Sequence, residues 1–515
     1  MKRKNNLLIV KTVIIGIVYF VIAFLLEAAR WFQTTWDDMD FATAVYQLST
    51  PLKGTDQGII LSFCEFVFPA VITREFFVVA VFYLFNRIFG VINLKFKIKC
   101  LGRTFLIKLG RKFYLVGKVL FVVLLSAVSV YEIYGKVTEL GIDDYIVDLM
   151  ETSTIYEERY IAPEKVNITF PESKRNLIFI YLESMETTYA SVDAGGGKPD
   201  NYIPELVDLA NEYVNISNTD TLGGAVPCAG TGWTVAALLS TTSGVTYKLP
   251  GDGNSADRYA EFLPGLCTLG DILQNQGYKN YFMCGSEAEF AGRDVYFKKH
   301  GNYEIMDYNY AKDSGFIPED YYVYWGIEDW KLYELAKQEL NKIGHSEENF
   351  NFTMLTVDTH TPEGYICELC ENKYENQYAN AIACSSKQTY EFVKWIQQQE
   401  WYENTTVILL GDHNSMKADF WDDINGYKRT TYNCFINLPE SVDTTNIKNR
   451  KFNNLDIFPT VLASLGAQIE GNRIGLGVNL FSDEQTLLEE LGGKVLGTEL
   501  QRYSKYYTEK FVQGK

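Results

Sequence analysis

The sequence predicts an α/β protein in which helices cover both faces of a mostly parallel sheet, preceded by a transmembrane helical region. Strand-like and helix-like segments alternate from residue 176 onward, which is the pattern of parallel sheets with crossover helices. Apolar runs long enough to cross a bilayer lie within the first 135 residues. The charge divides similarly: residues 1–150 contain 17 basic and 12 acidic side chains, whereas residues 151–515 contain 30 and 53. The two parts therefore face different surroundings.

The first and third apolar runs each fit a single membrane span. Residues 7–26 contain one charge, Lys11, near the end of the run, where a lysine can reach the interface. The bulky segment LLEAARWFQTTW follows in place of a small-residue cleavage site, so we expect a retained anchor rather than a signal peptide. Residues 114–134 form the third run and carry only Lys118 and Glu132.

The second apolar run does not divide cleanly into spans. It covers residues 58–94 and contains Glu65, Arg74 and Glu75, which makes it too long for one ordinary span and too interrupted for two. We therefore predict about three spans in total. Residues 58–72 are expected to lie in the interface or to re-enter the membrane.

Basic residues predict the orientation. The segment MKRK precedes the first span, and seven lysines and arginines lie between the second and third spans. Cytoplasmic segments are enriched in these residues, so three crossings place everything after about residue 135 outside the cell membrane. The sequence thus predicts a multi-pass protein with an extracytoplasmic main domain. The expected divisions are a transmembrane region (1–140), a linker (141–175), the main domain (176–482) and a C-terminal helix and tail (483–515).

The main domain contains five candidate strands and six candidate helices. The strands are NLIFIYL, NYFMC, NFTMLTV, TTVILLG and YNCFINL. The helices cover residues 204–214, 231–240, 269–276, 328–342, 377–399 and 455–465. In sheets of this kind, ligands bind at the carboxyl ends of the strands.

Three candidate strands end in residues that bind metals. Glu183 follows the first, Asp358 and His360 follow NFTMLTV, and Asp412 with His413 follows TTVILLG. A single carboxylate after a strand is usually a cap or turn residue, but three such ends in one sheet, using two of the four histidines, indicate a metal site. Oxygen ligands with one imidazole suit Mn²⁺ or Mg²⁺, and Zn²⁺ less well.

A glycine-rich loop supplies candidate nucleophiles for such a site. GGAVPCAGTGWTVAALLSTTSG is typical of a loop that enters a helix, with Thr231 at or near the N-cap, where backbone N–H groups attract an anion. Thr231 is either the nucleophile or simply the capping residue. Thr234 and Ser240 are weaker candidates, since they are expected further inside the helix.

Together, five motifs resemble one family. NLIFIYLES, GTGWT, FAGRDVYFKKHGN, DTHTP and GDH are similar to the lipoteichoic acid synthases and phosphoglycerol transferases of the alkaline phosphatase and sulfatase superfamily, over about residues 176–482. The resemblance implies an alkaline phosphatase-like domain outside the membrane, one divalent metal, first Mn²⁺, and a covalent threonine intermediate. By motif position it implies metal ligands at Glu183, Thr231, Asp412 and His413, a nucleophile at Thr231, a phosphate-binding Arg293, and His360 in contact with the transferred group.

The implied reaction moves glycerol phosphate from phosphatidylglycerol to an acceptor through a phosphothreonine at Thr231. His360 would protonate a leaving oxygen or deprotonate the acceptor. The stretch CGSEAEFAGR departs from the lipoteichoic acid synthase pattern, and HGN with His300 is similar to relatives that modify glycans. A glycan acceptor is therefore expected first and a glycerol phosphate polymer second. His300 is either a further substrate-binding residue or a residue at the end of a helix.

Other functions stay open at this stage. Formylglycine sulfatases need a C/S-x-P-x-R context, and Cys228 in PCAGTG lacks the proline and the arginine. Phosphoethanolamine transferases usually need more histidines than the four present. A catalytically inactive sensor on the same fold would typically lack a ligand or the nucleophile. The net charge of −18 gives no indication of nucleic-acid binding.

Three cysteines follow His360 in the sequence. Cys367 and Cys370 form the CELC motif, and Cys384 lies fourteen residues after it. This spacing suits a zinc knuckle, but no fourth ligand is evident. A disulfide that fixes the loop after His360 is the favoured interpretation in an extracytoplasmic protein.

Overall fold

The computed structural model describes residues 2–35, 57–89, 94–100, 103–109, 111–248, 262–417 and 419–515. The described residues fall into two compact units. The first contains residues 2–35 and 57–143, and the second contains residues 144–515.

The first unit is built from three long helices and a hairpin. The elements are α1 (Lys2–Thr35), α2 (Gln57–Phe89), β1 (Leu94–Cys100), β2 (Arg103–Leu109) and α3 (Arg111–Glu139). Each long helix contains a stretch that is long and apolar enough to cross a membrane: Thr12–Thr35, Ile60–Leu84 and Leu115–Glu139. The protein is therefore anchored in a membrane. Residues 58–72, which we expect to lie in the interface or to re-enter the membrane, are part of the continuous helix α2, with Pro69 inside it.

Three charged side chains of these apolar helices, Glu27, Arg74 and Glu132, are paired with one another. Arg74 Nε lies 2.7 Å from Glu27 Oε1, and Arg74 Nη1 lies 3.2 Å from Glu132 Oε2. Arg74, one of the three charged residues that interrupt the second apolar run, thus bonds to both of the other long helices. Such pairing is the usual way in which apolar helices accommodate ionisable residues.

The second unit contains ten strands and twelve α-helices among the described residues. The first of these helices, α4, begins two residues before the start of the unit at residue 144. The strands are β3 (Ile168–Thr169), β4 (Asn176–Leu182), β5 (Lys279–Cys284), β6 (Glu304–Met306), β7 (Phe350–Leu355), β8 (Thr405–Gly411), β9 (Asn433–Ile436), β10 (Gln468–Ile469), β11 (Arg473–Ile474) and β12 (Gly477–Val478). The helices are α4 (Ile142–Met150), α5 (Ile155–Arg159), α6 (Pro204–Glu212), α7 (Thr234–Ser243), α8 (Leu269–Asn275), α9 (Arg293–Lys299), α10 (Tyr308–Asp313), α11 (Asp329–Ile343), α12 (Gln377–Ile396), α13 (Ile457–Ser464), α14 (Leu487–Leu491) and α15 (Gly493–Gln501). A π-helical turn covers Tyr507–Val512.

Six strands form the main sheet in the order β6-β5-β7-β4-β8-β9, and only β9 runs antiparallel to its neighbour. The predicted α/β fold class is confirmed. All five predicted strands are present, and the short edge strand β6 was missed.

Both faces of the sheet are buried. Along β4, Leu177, Phe179 and Tyr181 join one hydrophobic cluster, and the alternate residues join the other. The first cluster is covered by α7, α8, α9 and α13, and the second by α6, α11 and α12. Burial of both faces explains why β4 is an almost continuous apolar run rather than an alternating one.

The expected linker and C-terminal tail pack on each other in this unit. Tyr156 on α5 is fully buried, and its ring lies 5.4 Å from that of Tyr507 and 5.8 Å from that of Phe511. The strand β3 pairs antiparallel with β10. Residues 144–175 are thus a structured part of the second unit, because their apolar side chains complete its core.

Candidate active site

Two neighbouring strands deliver the first candidate ligands to one edge of the sheet. β4 and β8 are parallel with Leu182 opposite Gly411, so Glu183 and Asp412 leave the sheet side by side. Ser184 then turns the chain with a left-handed φ of 51°. Its N–H donates to Asp412 Oδ1 at 2.8 Å, and its hydroxyl donates to Glu183 Oε1 at 2.7 Å. This one turn residue therefore orients both carboxylates.

Glu183, Asp412 and His413 form a buried cluster. Their ligand atoms lie within 4.8 Å of one another, and His413 Nε2 is 3.6 Å from Glu183 Oε1 and 3.5 Å from Asp412 Oδ2. Asp412 Oδ2 is buried and accepts no hydrogen bond from the described residues. A buried carboxylate oxygen without a partner is costly, so two carboxylates and one imidazole in this arrangement fit a divalent cation.

The tautomer of His413 also suits the binding of a divalent cation. Its Nδ1 lies 2.8 Å from the carbonyl oxygen of Asn414, which can only accept, so Nδ1 carries the proton. The lone pair of Nε2 then faces the carboxylates. A backbone carbonyl that holds the other ring nitrogen is the usual support of a metal-bound histidine.

Burial and mutual charge shift the pKa values of the cluster. Burial, together with the neighbouring Glu183 carboxylate, raises the pKa of Asp412 to about 7. Burial alone would lower the pKa of His413, but the Asp412 and Glu183 carboxylates raise it above its ordinary value. Burial also opposes ionisation of Glu183, yet the nearby His360 and His413 rings hold its pKa below the ordinary value. Three ionisable groups in one small volume are typical of functional sites.

Helix α7 begins at this cluster. Trp233 is the N-cap, and Thr234 is the first helical residue. Thr234 Oγ1 donates to Glu183 Oε2 at 3.2 Å and lies 3.4 Å from His413 Nε2. The positive end of the helix dipole lies at the same point, so a hydroxyl, two candidate ligands and an anion-attracting helix end converge there.

Thr231 lies outside this cluster of contacts. Its backbone N–H and its Oγ1 both bond to the carbonyl oxygen of Cys228, at 3.2 and 2.9 Å, which closes a turn ahead of the helix. Gly230 is in the left-handed region, and α7 begins three residues later than expected. Among the described residues, Thr234 therefore takes the position that we expected for Thr231. The glycine at position 232 was the missed signal, since a helix start after the last loop glycine selects Thr234.

His360 and Arg293 meet Glu183 and Thr234 around a cavity of about 40 Å³, which we call the inner cavity. The His360 Nδ1 lies 2.8 Å from the Thr361 carbonyl oxygen, so Nδ1 carries a proton and Nε2 is the ring nitrogen that can give or take one. Arg293 is buried, and its Nη2 donates to Ser286 Oγ at 2.9 Å. A hydroxyl, an imidazole and a guanidinium thus line one small space.

The loop that carries His360 is held by a residue whose role the sequence did not reveal. Asp329, at the start of α11, accepts hydrogen bonds from the N–H groups of Val357 at 2.7 Å and Asp358 at 3.0 Å. Thr359 Oγ1 donates to the carbonyl oxygen of Glu183. The DTHTP loop is therefore tied both to α11 and to the end of β4.

Asp358, the third strand-end carboxylate, does not join the cluster of Glu183, Asp412 and His413 in the described part of the chain. Both of its carboxyl oxygens are buried and have no hydrogen-bond partner there. Burial, and then the neighbouring Asp329, raises its pKa well above the ordinary value. A neutral carboxyl group fits this position.

His300 lies away from the inner cavity. Its Nε2 is 2.8 Å from the carbonyl oxygen of Phe262, and its Nδ1 is 3.5 Å from Asp271 Oδ2. It is buried against the ring of Tyr296. Both ring nitrogens have internal partners, and His300 is the C-cap of α9, which is the second of the two roles expected from the sequence.

A second, larger space adjoins the cluster at His413. This outer groove has a volume of about 710 Å³ and is lined by Thr231 and Trp233 on one side. Three basic residues, Lys428, Arg429 and Lys451, also line it. The groove is within the size range of ligand sites, and its charge suits an anionic or polar ligand.

Comparison with known proteins identifies the family of the chain. The Sulfatase family model matches residues 175–467, which is more than half of the chain. Phosphoglycerol transferase I of Salmonella choleraesuis (strain SC-B67) is 34% identical over 331 residues, which are 63% of this chain and 41% of that protein. Phosphoglycerol transferase I of Citrobacter koseri (strain ATCC BAA-895 / CDC 4225-83 / SGSC4696) is 34% identical over 334 residues, with the same coverage. The chain thus spans less than half of the length of these relatives.

Two solved structures are similar at lower identity. The lipoteichoic acid synthase LtaP from Listeria monocytogenes has a TM-score of 0.47 at 19% identity and covers 61% of this chain and 79% of its own. The lipooligosaccharide phosphoethanolamine transferase A from Neisseria meningitidis has a TM-score of 0.48 at 14% identity and covers 88% and 84%.

Proposed function

The chain belongs to the sulfatase family, and we propose that it is a membrane-anchored phosphotransferase that moves glycerol phosphate from phosphatidylglycerol to a hydroxyl acceptor. The observation that carries the proposal is the hydrogen bond between Thr234 Oγ1 and Glu183 Oε2 inside a buried cluster suited to a divalent metal. The 34% identity to phosphoglycerol transferases supports the choice of the transferred group.

Glu183, Asp412 and His413 would hold the metal, with Thr234 beside it. Two carboxylates and one imidazole favour Mn²⁺, with Mg²⁺ or Zn²⁺ as alternatives. When bound, the metal supplies polarisation of phosphoryl oxygens and a lower pKa for a neighbouring hydroxyl.

In the first half of the reaction, Thr234 Oγ1 attacks the phosphorus of phosphatidylglycerol. A bond from Oγ1 to phosphorus forms, the bond from phosphorus to the diacylglycerol oxygen breaks, and glycerol phosphate stays on Thr234 as an ester. The hydroxyl proton passes to Glu183 Oε2, which already accepts a hydrogen bond from Thr234 Oγ1. His360, protonated on both ring nitrogens at this step, gives its Nε2 proton to the departing oxygen.

In the second half, the oxygen of an acceptor hydroxyl forms a bond to phosphorus, the bond from phosphorus to Thr234 Oγ1 breaks, and the proton held at Glu183 returns to Oγ1. His360 Nε2 is now unprotonated and accepts the acceptor's proton, so the two halves together return the imidazole to its starting state. Arg293 lines the same inner cavity, and its guanidinium would orient the phosphoryl oxygens.

The outer groove supports a glycan as the acceptor. It opens beside His413 and has both basic residues and the indole of Trp233 along it, which suits a polar chain with hydroxyl groups. We further propose that the second unit is extracytoplasmic and that all three apolar helices cross the membrane. Both donor and acceptor would then be reached from the outer surface.

The experiment uses the full chain in detergent with fluorescent phosphatidylglycerol and Mn²⁺. We expect release of labelled diacylglycerol, and a loss of at least about 10³-fold in Thr234→Ala, because the attacking atom is removed. Thr231→Ala is the matched control and should keep activity within about tenfold, since its hydroxyl only closes a turn.

Mass spectrometry of the same reaction without acceptor tests the intermediate. An adduct of about 154 Da, the mass of an added glycerol phosphate, should appear on the peptide that contains Thr234. An adduct on Thr231, or turnover by Thr234→Ala at the wild-type rate, would overturn the assignment of the nucleophile.

A further inference from the structure

Three cysteines form a second cluster, separate from Glu183, Asp412 and His413. Cys367 and Cys370 lie in the segment that follows His360, and Cys384 lies on α12. The sulfur atoms of Cys367 and Cys370 are 3.4 Å apart, and those of Cys367 and Cys384 are 3.8 Å apart. All three lie within 4.8 Å of one another, and two of them are buried. The fold therefore brings together thiols from two elements around one point.

These distances match a shared metal ion. Zinc–sulfur bonds of about 2.3 Å in a tetrahedron place the sulfur atoms about 3.8 Å apart. A disulfide needs about 2.05 Å between two sulfurs and would leave the third thiol unpaired. The spacing of all three sulfurs thus favours coordination of one ion over a single bond between two of them.

Backbone groups around the motif suit thiolates. The N–H of Cys367 donates to the Cys370 sulfur at 3.3 Å. The Cys370 N–H also donates to the carbonyl oxygen of Cys367 at 3.1 Å. This hydrogen bond closes a compact turn that places the two sulfurs on one side. Hydrogen bonds from backbone N–H groups stabilise charged acceptors more than neutral ones.

A candidate fourth ligand, which the sequence spacing did not reveal, lies beside the three sulfurs. Gln388 lies one helical turn after Cys384 and is buried. Its amide nitrogen is 3.1 Å from the Cys384 sulfur and 3.5 Å from the Cys367 sulfur, while its Oε1 is buried without a partner among the described residues. Rotation of the Gln388 amide by 180° exchanges its oxygen and nitrogen and brings Oε1 next to the sulfurs. In a tetrahedral zinc site an oxygen ligand lies about 3.6 Å from each sulfur, which is close to these distances.

We propose that Cys367, Cys370, Cys384 and the amide oxygen of Gln388 hold a structural zinc ion. Soft thiolate ligands select Zn²⁺, whereas the carboxylate-rich cluster at Glu183 suits a harder ion, so the protein would carry two different metals. Four protein ligands close the site to substrate, as in structural zinc sites. The ion would join the segment after His360 to α12 and would limit the movement of that histidine. This inference does not depend on the transferase proposal.

The test is metal analysis of the full chain, purified in detergent without chelators. We expect about one tightly held zinc ion per chain. Cys384→Ser should lose it, whereas Cys267→Ser, at a half-buried cysteine outside the cluster, should keep it. Asp412→Asn should also keep the zinc, which separates this site from the other metal. Gln388→Ala should lose zinc to a chelator faster than the wild type.

A second measurement needs no variant. Titration of the wild-type chain with a thiol-binding mercurial should release the zinc in step with modification of three cysteines, as followed by a zinc-binding dye. A disulfide between any two of the three cysteines, found by mass spectrometry of the unreduced chain, would overturn the proposal. Zinc that persists in Cys384→Ser, or a wild-type chain with three free thiols and no zinc, would do the same.

Discussion

At the level of single residues, protons and the metal compete for Asp412 and His413. Burial raises the pKa of Asp412 to about 7, and the neighbouring carboxylates raise that of His413. Metal binding needs the charged carboxylate and the neutral imidazole, so both groups must release their protons. Affinity for Mn²⁺ should therefore be high above these pKa values and fall as the pH drops through about 7.

This prediction can be measured by titration of the purified chain with Mn²⁺ at pH 6 and pH 8, followed by electron paramagnetic resonance of the free ion. We expect Kd to rise by about tenfold or more at the lower pH, because at least one proton is exchanged. Asp412→Asn should bind weakly at both values. A wild-type affinity that is the same at pH 6 and pH 8 would contradict the prediction.

At the level of elements, α11 positions a loop rather than a reacting atom. Asp329 accepts two backbone hydrogen bonds from the segment that leads to His360. Asp329→Ala should leave both N–H groups without their partner, at a cost of about 1–3 kcal/mol for each unsatisfied donor. We expect a lower melting temperature together with a lower kcat. Asp320→Ala, at an exposed position on the preceding loop, should change neither. An unchanged kcat in Asp329→Ala would remove it from the set of positioning residues.

The elements also separate what the sequence could predict from what it could not. β4 and β8 were predictable because buried parallel strands are long apolar runs. The ends of these strands predicted Glu183 and Asp412 as candidate metal ligands. The start of α7 could not be predicted, because a threonine that caps a helix and a threonine that is its first residue occur in the same local sequence pattern. Only the contact between Thr234 and Glu183 distinguishes the two. The role of His300 stayed open in the sequence for a similar reason: its partners, Phe262 and Asp271, depend on tertiary packing. Gln388 has no sequence signal at all, since ligation by an amide follows from the position of α12.

At the scale of the whole molecule, the second unit closes by joining its two ends. The hydroxyl of Tyr156 lies 2.8 Å from Thr246 Oγ1, and its ring packs against Tyr507 and Phe511 from the π-helical turn. Arg502 forms an ion pair with Glu151. Residues that precede the sheet and residues that follow it therefore share one aromatic core, although the sequence suggested a linker at one end and a tail at the other.

This closure predicts where the second unit can be separated from the apolar helices. A fragment of residues 141–515 keeps α4, α5 and β3 and should fold as a water-soluble protein that binds Mn²⁺. A fragment of residues 176–515 lacks Tyr156 and so loses its ring contacts with Tyr507 and Phe511. Truncation of one buried aromatic side chain costs about 3–5 kcal/mol, so the shorter fragment should melt at least several degrees lower or aggregate.

Thermal unfolding of the two fragments measures this difference, and Tyr156 supplies matched variants in the longer one. Tyr156→Ala should lose about 3–5 kcal/mol of unfolding free energy, while Tyr156→Phe keeps the ring and loses only the two hydrogen bonds with Thr246, about 1–2 kcal/mol. If both fragments unfolded at the same temperature, residues 141–175 would be a dispensable arm. If Tyr156→Phe were as unstable as Tyr156→Ala, the hydroxyl rather than the ring would hold the two ends of the unit together.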